Sequence, residues 1–250
     1  MDTLRKASEL IGRSRRICAF TGAGVSTESG IPDFRSSGGV FESLRKRYPF
    51  PPEEILSRDF FLKKPELFFE VYRKTLVYRG AKPNRCHTAL AELENRGKLA
   101  GIVTQNIDNL HQEGGSHAVI ELHGNANENQ CTGCGKKFTL DYMADHPEVI
   151  PRCDGCRAIV RPLVVLYGEC LEHENLVSAK RLIRSSDTLL IIGTSLVVYP
   201  AAALLSEFHG ASMIIINKAE TICDEAADVV IRESASKAMD AILEALGRGI

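Results

Sequence analysis

The chain has 250 residues, and 31 Lys and Arg against 32 Asp and Glu give a formal net charge of −1. A hydrophobic fraction of 44% is ordinary for a globular protein with a sizeable core. The near-neutral charge argues against direct nucleic-acid binding or attraction to an anionic membrane. No apolar run is long enough to span a bilayer. The length predicts one large domain, or one domain with an insertion.

The N-terminal segment leads directly into the first predicted strand. Leu4, Ala7, Leu10 and Ile11 recur at helical spacing, so we predict an opening helix that leaves no room for a cleaved targeting segment. The apolar run 17–20 follows and predicts a short buried strand.

A glycine-rich turn follows this strand. Gly22 and Gly24 let the backbone turn sharply and approach a ligand with no Cβ in the way. Ser26 is predicted to cap a helix whose free N–H groups would receive a nucleotide pyrophosphate. The alternative from this pattern alone is an ordinary glycine-rich turn.

The residues beyond the turn do not fit a plain hydride-transfer enzyme. The usual dehydrogenase fingerprint has a third glycine near position 27 and then a strand that ends in an acidic residue. Thr27 stands there instead, and the stretch 36–52 has no strand pattern. Asp33, Phe34 and Arg35 place charges and an aromatic ring just beyond the loop.

The stretch 36–78 is aromatic and charged, and four prolines divide it into short helical pieces. We interpret it as a helical module or mobile lid over the nucleotide site. The alternative is a mere connecting insertion.

Strand and helix patterns then alternate to the end of the chain, which predicts a doubly wound parallel α/β sheet. Predicted strands cover 99–103, 119–122, 187–192, 213–216 and 228–231, and predicted helices cover 84–95 and 171–184. Two more helices are predicted to begin at Pro200 and to be capped by Ser234. Leu163–Glu169 is read as the return to the sheet after an excursion, and 196–199 as an extended segment.

Polar side chains follow several of these strands. Asn106 and Asp108 come after one strand, and His123 comes after the next. Ligands bind open α/β sheets at the carboxyl ends of the strands, so we expect these side chains to share an edge with the glycine loop.

Four of the eight cysteines form two Cys-x-x-Cys pairs, Cys131 with Cys134 and Cys153 with Cys156, with eighteen residues between the pairs. This spacing predicts a closed, structural zinc ribbon. A disulfide pair or a redox dithiol remains the alternative. The other four cysteines are read as inert small hydrophobes, and unpaired thiols predict a reducing, cytoplasmic location.

Taken together, these motifs resemble the sirtuin family of NAD-dependent protein-lysine deacylases over nearly the whole chain. They are Gly22-Ala23-Gly24-x-Ser26-x-x-Ser29-Gly30-Ile31-Pro32-Asp33-Phe34-Arg35, Thr104-Gln105-Asn106-Ile107-Asp108, Leu122-His123-Gly124, both cysteine pairs, Gly168-Glu169, Gly193-Thr194-Ser195 and Asn217.

The resemblance implies a Rossmann-like, doubly wound parallel sheet with a smaller lobe. The expected NAD-binding domain is 1–36, 79–125 and 161–250. The helical module or cofactor loop is 37–78, and the zinc-ribbon lobe is 126–160.

The resemblance also implies roles for individual residues. His123 matches the catalytic base, and Asn106 and Asp108 join it in the catalytic set. The expected NAD-binding residues are Gly22, Ala23, Gly24, Thr27, Asp33, Phe34, Arg35, Gln105, Asn106, Ile107, Asp108, Gly193, Thr194, Ser195, Asn217 and Ala235. The expected acyl-lysine and peptide contacts are Val165, Tyr167, Gly168, Val197 and Val198, and the expected zinc ligands are Cys131, Cys134, Cys153 and Cys156.

The implied reaction consumes NAD. Nicotinamide leaves the ribose, the acyl oxygen of an acylated lysine attacks the exposed carbon, and His123 takes a proton from a ribose hydroxyl. The acyl group ends on ADP-ribose. One departure concerns the acyl tunnel, where Leu166 and Tyr167 stand in place of a common tryptophan and phenylalanine. Another is that Val71 and Lys74 occupy the positions of the Tyr and Arg that desuccinylases carry, with Tyr72-Arg73 one place off.

Two other functions remain open from the sequence. The same NAD-cleaving site would support mono-ADP-ribosylation if a protein side chain attacked the ribose carbon. A non-catalytic NAD sensor or zinc-ribbon interaction protein is the alternative of a different class.

Overall fold

A computed structural model describes residues 2–247. Within that range the strands form two sheets. The strands are β1 Ile17–Thr21, β2 Leu99–Thr104, β3 Val119–Glu121, β4 Gly124–Cys131, β5 Lys137–Phe138, β6 Val160–Val164, β7 Thr188–Ile192, β8 Ser212–Ile216 and β9 Val229–Ile231.

The α-helices surround these sheets. They are α1 Asp2–Arg13, α2 Val40–Arg47, α3 Pro52–Ile55, α4 Arg58–Lys63, α5 Pro65–Thr75, α6 Arg85–Asn95, α7 Leu110–Glu113, α8 Leu140–Asp145, α9 His173–Arg184 and α10 Ala235–Gly247. No helix among the described residues is long and apolar enough to cross a membrane.

The larger sheet has six parallel strands in the order β3-β2-β1-β7-β8-β9. One buried core lies on the face covered by α1, α6 and α10, and another lies on the opposite face beneath α9. The strand order reverses between β1 and β7, which is where open α/β sheets form their ligand crevice. The predicted doubly wound parallel sheet is therefore confirmed.

The smaller sheet is antiparallel, with β4 between β5 and β6. We expected the chain to re-enter the main sheet with Leu163–Glu169, but Val160–Val164 pairs with Gly124–Cys131 instead. The burial patterns give the reason. The residues of β6 alternate between buried and half-buried, as suits a sheet covered on one face, whereas every residue of β7 is buried.

The helical module predicted for 37–78 consists of α2 to α5. Its aromatic side chains pack edge to face, including Phe61 against both Phe68 and Phe69. They share one hydrophobic core with the buried residues of the small lobe, such as Met143 and Val160. The module and the zinc-ribbon segment therefore pack together as one body beside the main sheet.

Two helix predictions differ from the structure. The glycine loop is followed by two 3-10 turns, Ala23–Val25 and Thr27–Ser29, in place of an α-helix capped by Ser26. Pro200 precedes a 3-10 helix, Ala201–Glu207. The remaining helices that we predicted begin and end within a few residues of their expected bounds.

A buried histidine pair lies behind the carboxyl edge of the main sheet. The rings of His87 and His111 are 4.9 Å apart. The backbone amide of Asn84 donates to Nδ1 of His87, and this hydrogen bond completes a capping box on α6. Nε2 of His111 lies 2.9 Å from the Thr21 hydroxyl. Burial lowers the pKa of His87 to about 4, against the attraction of Asp108, and lowers the pKa of His111 to about 3.

This pair is expected to make the protein less stable in mild acid. Below about pH 6.5 the unfolded chain binds protons at both positions while the folded chain does not, so the free energy of unfolding falls as the pH falls towards 4. Urea unfolding at a series of pH values measures that slope. We expect His111→Gln to flatten it and the exposed His209→Gln to leave it unchanged. Equal slopes in all three proteins would contradict the prediction.

Candidate NAD and acyl-lysine site

The carboxyl ends of the parallel strands meet at one edge. Thr21 at the end of β1 is aligned with Thr104 of β2 and Ile192 of β7, and Ile192 is aligned with Ile216 of β8. The residues that follow these strands line a single cavity of about 750 Å³. The shared edge expected from the sequence is therefore present.

Two glycine segments approach each other at the floor of this cavity. A Cβ on Gly24 would lie 2.6 Å from the Cα of Gly193, and a Cβ on Gly22 would lie 2.7 Å from the Cβ of Thr194. Gly193 itself has a φ of 61°. The amides of Gly22, Gly24 and Gly193 donate to the carbonyls of Ile192, Gly193 and Ile216, so the two segments are fixed to each other and to the strand ends. Because side chains are excluded here, a ligand can approach the backbone closely, as a phosphate cradle requires.

Ser26 connects the loop to the catalytic candidates. Its hydroxyl donates to a carboxylate oxygen of Asp108 at 2.6 Å and accepts from the side-chain amide of Asn106 at 3.1 Å. The serine that we expected to cap a helix therefore fixes two polar side chains of the next strand end. The other Asp108 oxygen accepts from the Leu110 amide.

His123 is held by one ring nitrogen. Nδ1 lies 2.9 Å from the carbonyl oxygen of Gln105, which can only accept, so Nδ1 carries the hydrogen. Nε2 is then the ring nitrogen with a free lone pair. Burial lowers the pKa of His123 below its ordinary value, against the effect of this hydrogen bond. The imidazole is accordingly neutral at pH 7 and able to accept a proton.

Gly124 explains why His123 can occupy this position. It has a φ of 74°, and a Cβ there would lie 2.0 Å from the carbonyl oxygen of Leu163. The amide of Val165 donates to the carbonyl of His123 at 2.9 Å. The segment that follows β6 is therefore hydrogen-bonded to the backbone of His123.

The far end of the cavity is polar. The side-chain amide of Gln105 donates to the Thr194 hydroxyl at 2.9 Å, and Asn217 follows β8. Glu28 accepts from the Ser234 hydroxyl and the Ser236 amide, and so holds the first turn of α10 against the glycine loop. This end has the hydroxyl, amide and backbone groups that an adenosine would need.

All of the expected NAD-binding residues line this cavity. His123, Val165, Tyr167, Gly168 and Val198 line it as well. Val197 does not, and its side chain is half exposed. The segment expected to be extended at 196–199 has no strand assignment, because its first residue, Leu196, takes a positive φ of 56° and turns the chain.

Several lining residues escaped the sequence reasoning. Lys218, Glu233 and Ser234 follow β8 and β9, so the strand-end rule that identified Asn217 would have found them. The helical module contributes Val40, Leu56, Thr75, Leu76 and Tyr78, for which no local pattern indicates a role.

The predicted metal ligands form a separate cluster. The sulfur atoms of Cys131, Cys134, Cys153 and Cys156 all lie within 4.8 Å of one another. A tetrahedral zinc ion with bonds of about 2.3 Å needs thiolates about 3.8 Å apart, so the set fits. The amides of Cys134 and Gly133 point at the Cys131 sulfur and lower its pKa to about 6, which favours the thiolate.

The remaining cysteines differ in exposure. Cys18 and Cys86 are buried, as inert hydrophobes would be, and burial raises the pKa of Cys18 to about 12. Cys223 is half-buried against the core beneath α9, and burial raises its pKa, so the description fits it as well. Cys170 is exposed, so the description does not fit Cys170.

The fold and the cavity define a dinucleotide-binding α/β protein with a four-cysteine lobe. The model of the Sir2 family matches residues 22–200. The chain therefore belongs to the Sir2, or sirtuin, family, as its motifs predicted.

Curated relatives match along their whole length. An NAD-dependent protein deacetylase of Clostridium tetani is 48% identical over 99% of this chain and 100% of its own. A protein of the same name from Cutibacterium acnes is 48% identical over 91% of this chain and 92% of its own.

Solved Sir2 structures are similar throughout as well. A Sir2 complex with p53 peptide and NAD⁺ has a TM-score of 0.87 and 35% identity, and it covers 98% of this chain and 99% of its own. A Sir2 variant with deacetylated p53 peptide and 3′-O-acetyl-ADP-ribose has a TM-score of 0.88 and 35% identity, and it covers 97% of this chain and 98% of its own.

Proposed function

We propose that this protein is an NAD-dependent protein-lysine deacylase that releases nicotinamide and O-acyl-ADP-ribose. The observation that carries the proposal is the neutral imidazole of His123, which lines the same cavity as the glycine cradle. A protein that only bound NAD would have no need of a base fixed in this way. The named relatives and the Sir2 complexes support the same activity.

The cradle and the polar end of the cavity would hold NAD. The backbone at Gly22–Gly24 and Gly193 would lie against the pyrophosphate. Thr194, Ser195, Asn217 and Ala235 would surround the adenosine. Phe34 and Arg35 would lie beside the nicotinamide ribose. When bound there, NAD supplies a ribose carbon that becomes electrophilic as nicotinamide leaves.

The residues around that carbon act by position and charge. Asn106 and Asp108, fixed through Ser26, would orient the ribose and the nicotinamide carboxamide. Nε2 of His123 would take the proton of a ribose hydroxyl, whose oxygen then attacks the acyl carbon. The bond between the acyl carbon and the lysine nitrogen breaks, and the lysine amine leaves. The Gln105 carbonyl stabilises the imidazolium that results, because it accepts from Nδ1–H.

An extended peptide would lie across the mouth of the cavity. Val165, Tyr167 and Gly168 would form one side, with backbone pairing to the substrate, and Val198 would lie on the other side. Tyr167 already pairs with Leu56 and Arg58 through its backbone, so one wall of the groove is anchored to the helical module. Intact zinc thiolates need a reducing environment, which supports a cytoplasmic location.

The test is incubation with NAD and an acetyl-lysine peptide, followed by mass spectrometry. Loss of the acetyl group together with nicotinamide release is the expected result. A peptide that gains ADP-ribose would support mono-ADP-ribosylation instead. An absence of nicotinamide release with every acyl peptide would overturn both enzymatic functions.

The rate should fall in acid. Burial lowers the pKa of His123, so the neutral form persists below its ordinary value of about 6.5, and kcat/KM should decline only as the pH falls through a lower value. Initial rates at a series of pH values measure this acidic decline of kcat/KM, and circular dichroism at each pH confirms that the protein is folded. A decline of kcat/KM that is centred above about pH 6.5 would contradict the assignment of His123 as the base.

A further inference from the structure

The carboxylate of Glu169 has no part in the chemistry described above, although Glu169 lines the cavity. Its side chain is 17% exposed, and that of its ion-pair partner Arg161 is 22% exposed. Another ion pair of the small lobe, Arg157 with Glu148, is far more open, with exposed fractions of 67% and 48%. Enclosing two charges costs hydration, so the first pair needs good geometry and further hydrogen bonds.

The guanidinium of Arg161 meets both conditions. Nη1 donates to Oε1 of Glu169 at 2.7 Å, and Nη2 donates to Oε2 at 3.0 Å, which gives a bidentate contact. Nη2 also donates to the carbonyl of Val164 at 3.1 Å, and Nε donates to the carbonyl of Pro162 at 3.2 Å. The guanidinium carbon lies 5.5 Å from the centre of the Phe61 ring. Arg161 therefore connects β6 and the helical module to Glu169.

Glu169 closes the turn 166–169 from both of its ends. Its amide donates to the carbonyl of Leu166 at 2.9 Å, and the amide of Leu166 donates to Oε2 of Glu169 at 2.9 Å. Gly168 has a φ of 85°, which fits the third position of a type II turn. Although burial would raise the pKa of Glu169, hydrogen bonds from Arg161 and the Leu166 amide hold that pKa below its ordinary value. The side chain is therefore a carboxylate at pH 7.

The same turn carries the wall that is proposed to contact the peptide. Tyr167 and Gly168 are its two central residues. The amide of Tyr167 donates to the carbonyl of Leu56 at 3.1 Å, and its carbonyl accepts from the amide of Arg58 at 3.0 Å. A Cβ on Gly168 would have no heavy atom within 4 Å, so this side of the turn is open. The helical module thus holds the turn at Tyr167, and the ion pair holds it at Leu166 and Glu169.

Arg161 can influence a substrate only through this turn. It is not among the described residues that line the main cavity, and its guanidinium is engaged by Glu169 and two backbone carbonyls. The hydrogen bonds of the pair go to β6 and to the turn, rather than to the glycine cradle or His123.

From these contacts we propose that Arg161 and Glu169 form a positioning pair for substrate binding, which holds the turn 166–169 in the direction that an extended acyl-lysine peptide needs. This inference rests on the proposed deacylase function and specifies how its peptide site is built. Breaking the pair should weaken peptide binding, and it should leave the affinity for NAD and the turnover of bound peptide nearly unchanged.

The first test replaces Arg161. Arg161→Met keeps an unbranched side chain but removes the charge and all of the donors. We expect the KM for an acetyl-lysine peptide to rise at least about tenfold, because Glu169 loses its cation in a half-buried place. The Kd of the same peptide carrying a fluorophore, measured by anisotropy, should rise equally. The kcat should stay within about threefold, and the Kd for NAD, measured by calorimetry, within about twofold.

Two further variants serve as the comparison. Arg161→Lys keeps the charge but not the bidentate geometry, so its peptide KM should lie between those of the wild type and Arg161→Met. Arg157→Met breaks the exposed pair of the same lobe and should leave the peptide KM unchanged.

A double variant separates positioning from mere stabilisation. Glu169→Gln keeps an oxygen for the Leu166 amide, so adding it to Arg161→Met removes the unpaired charge and should recover part of the lost peptide affinity. If the pair only stabilised the lobe, the variants would lower the melting temperature and the amount of active protein. The peptide KM and Kd of the folded protein would then equal those of the wild type, which would overturn the inference.

The remaining outcomes are equally decisive. If Arg161→Met does not fold, Glu169→Gln alone is compared with the wild type, and a peptide KM raised less than about threefold would contradict the inference. An equal rise in the Kd for NAD and for the peptide would also contradict it. If the wild-type protein releases no nicotinamide with any acyl peptide, the deacylase function itself fails. If the wild type is active and the variants bind peptide as it does, only this inference fails.

Discussion

Replacing His123 with alanine is expected to lower kcat for deacylation by about 10² to 10⁴ while leaving the fold intact. The variant removes the ring nitrogen that accepts the ribose proton, and alanine cannot substitute for it. The side chain makes one hydrogen bond, to the carbonyl of Gln105, so the loss to stability should be small beside the loss of rate. Initial rates of acetyl-peptide turnover and a thermal unfolding curve measure the two effects separately.

The matched control is His209→Ala, because His209 is exposed and does not line the cavity. It should retain the wild-type rate. The affinity for NAD offers a second comparison. His123→Ala should bind NAD as the wild-type protein does, since the glycine cradle and the polar end of the cavity are unchanged. A His123→Ala protein that is as active as the control would remove the imidazole from the mechanism.

Removing the zinc ion, by chelation or by Cys153→Ser, is expected to unfold the small lobe and abolish activity indirectly. Cys153 is completely buried, and its sulfur lies 3.7 Å from that of Cys134. Four thiolates without their ion would repel one another, and the short strands β5 and β6 supply little core of their own. Because β6 leads directly into Val165–Gly168, loss of the lobe should disorder one wall of the groove.

Limited proteolysis and the zinc content of the sample measure the unfolding of the small lobe. The rate of deacylation measures the loss of activity. Cleavage should appear within 131–160 before the main sheet unfolds, and added zinc should reverse both changes in the chelated protein. Cys223→Ser, outside the cluster, is the control. A zinc-free protein that stays folded and fully active would show that the ion has no structural role.

The sequence was informative where function depends on local pattern. The glycine turn, the polar residues after β2 and β3, and both cysteine pairs are short motifs whose chemistry is legible without the fold. Strand ends in a parallel sheet share an edge by geometry, so the grouping of Asn106, Asp108 and His123 followed from the predicted strands alone. Even so, 196–199 was wrongly expected to be extended, because nothing in this apolar run predicts the turn at Leu196.

Distant packing governed the remaining features. Ser26 reads locally as a helix cap, yet its partner is Asp108, 82 residues away, and the helix is replaced by 3-10 turns. Leu163–Glu169 was expected to return to the main sheet, but the strand is Val160–Val164, and its pairing with Gly124–Cys131 places it in the small sheet. Val40, Leu56 and Leu166, which are distant in sequence, meet in the cavity wall because they belong to one shared core. Sequence motifs indicate which chemical groups are present, whereas the cavity between those groups forms only when the helices and sheets have packed together.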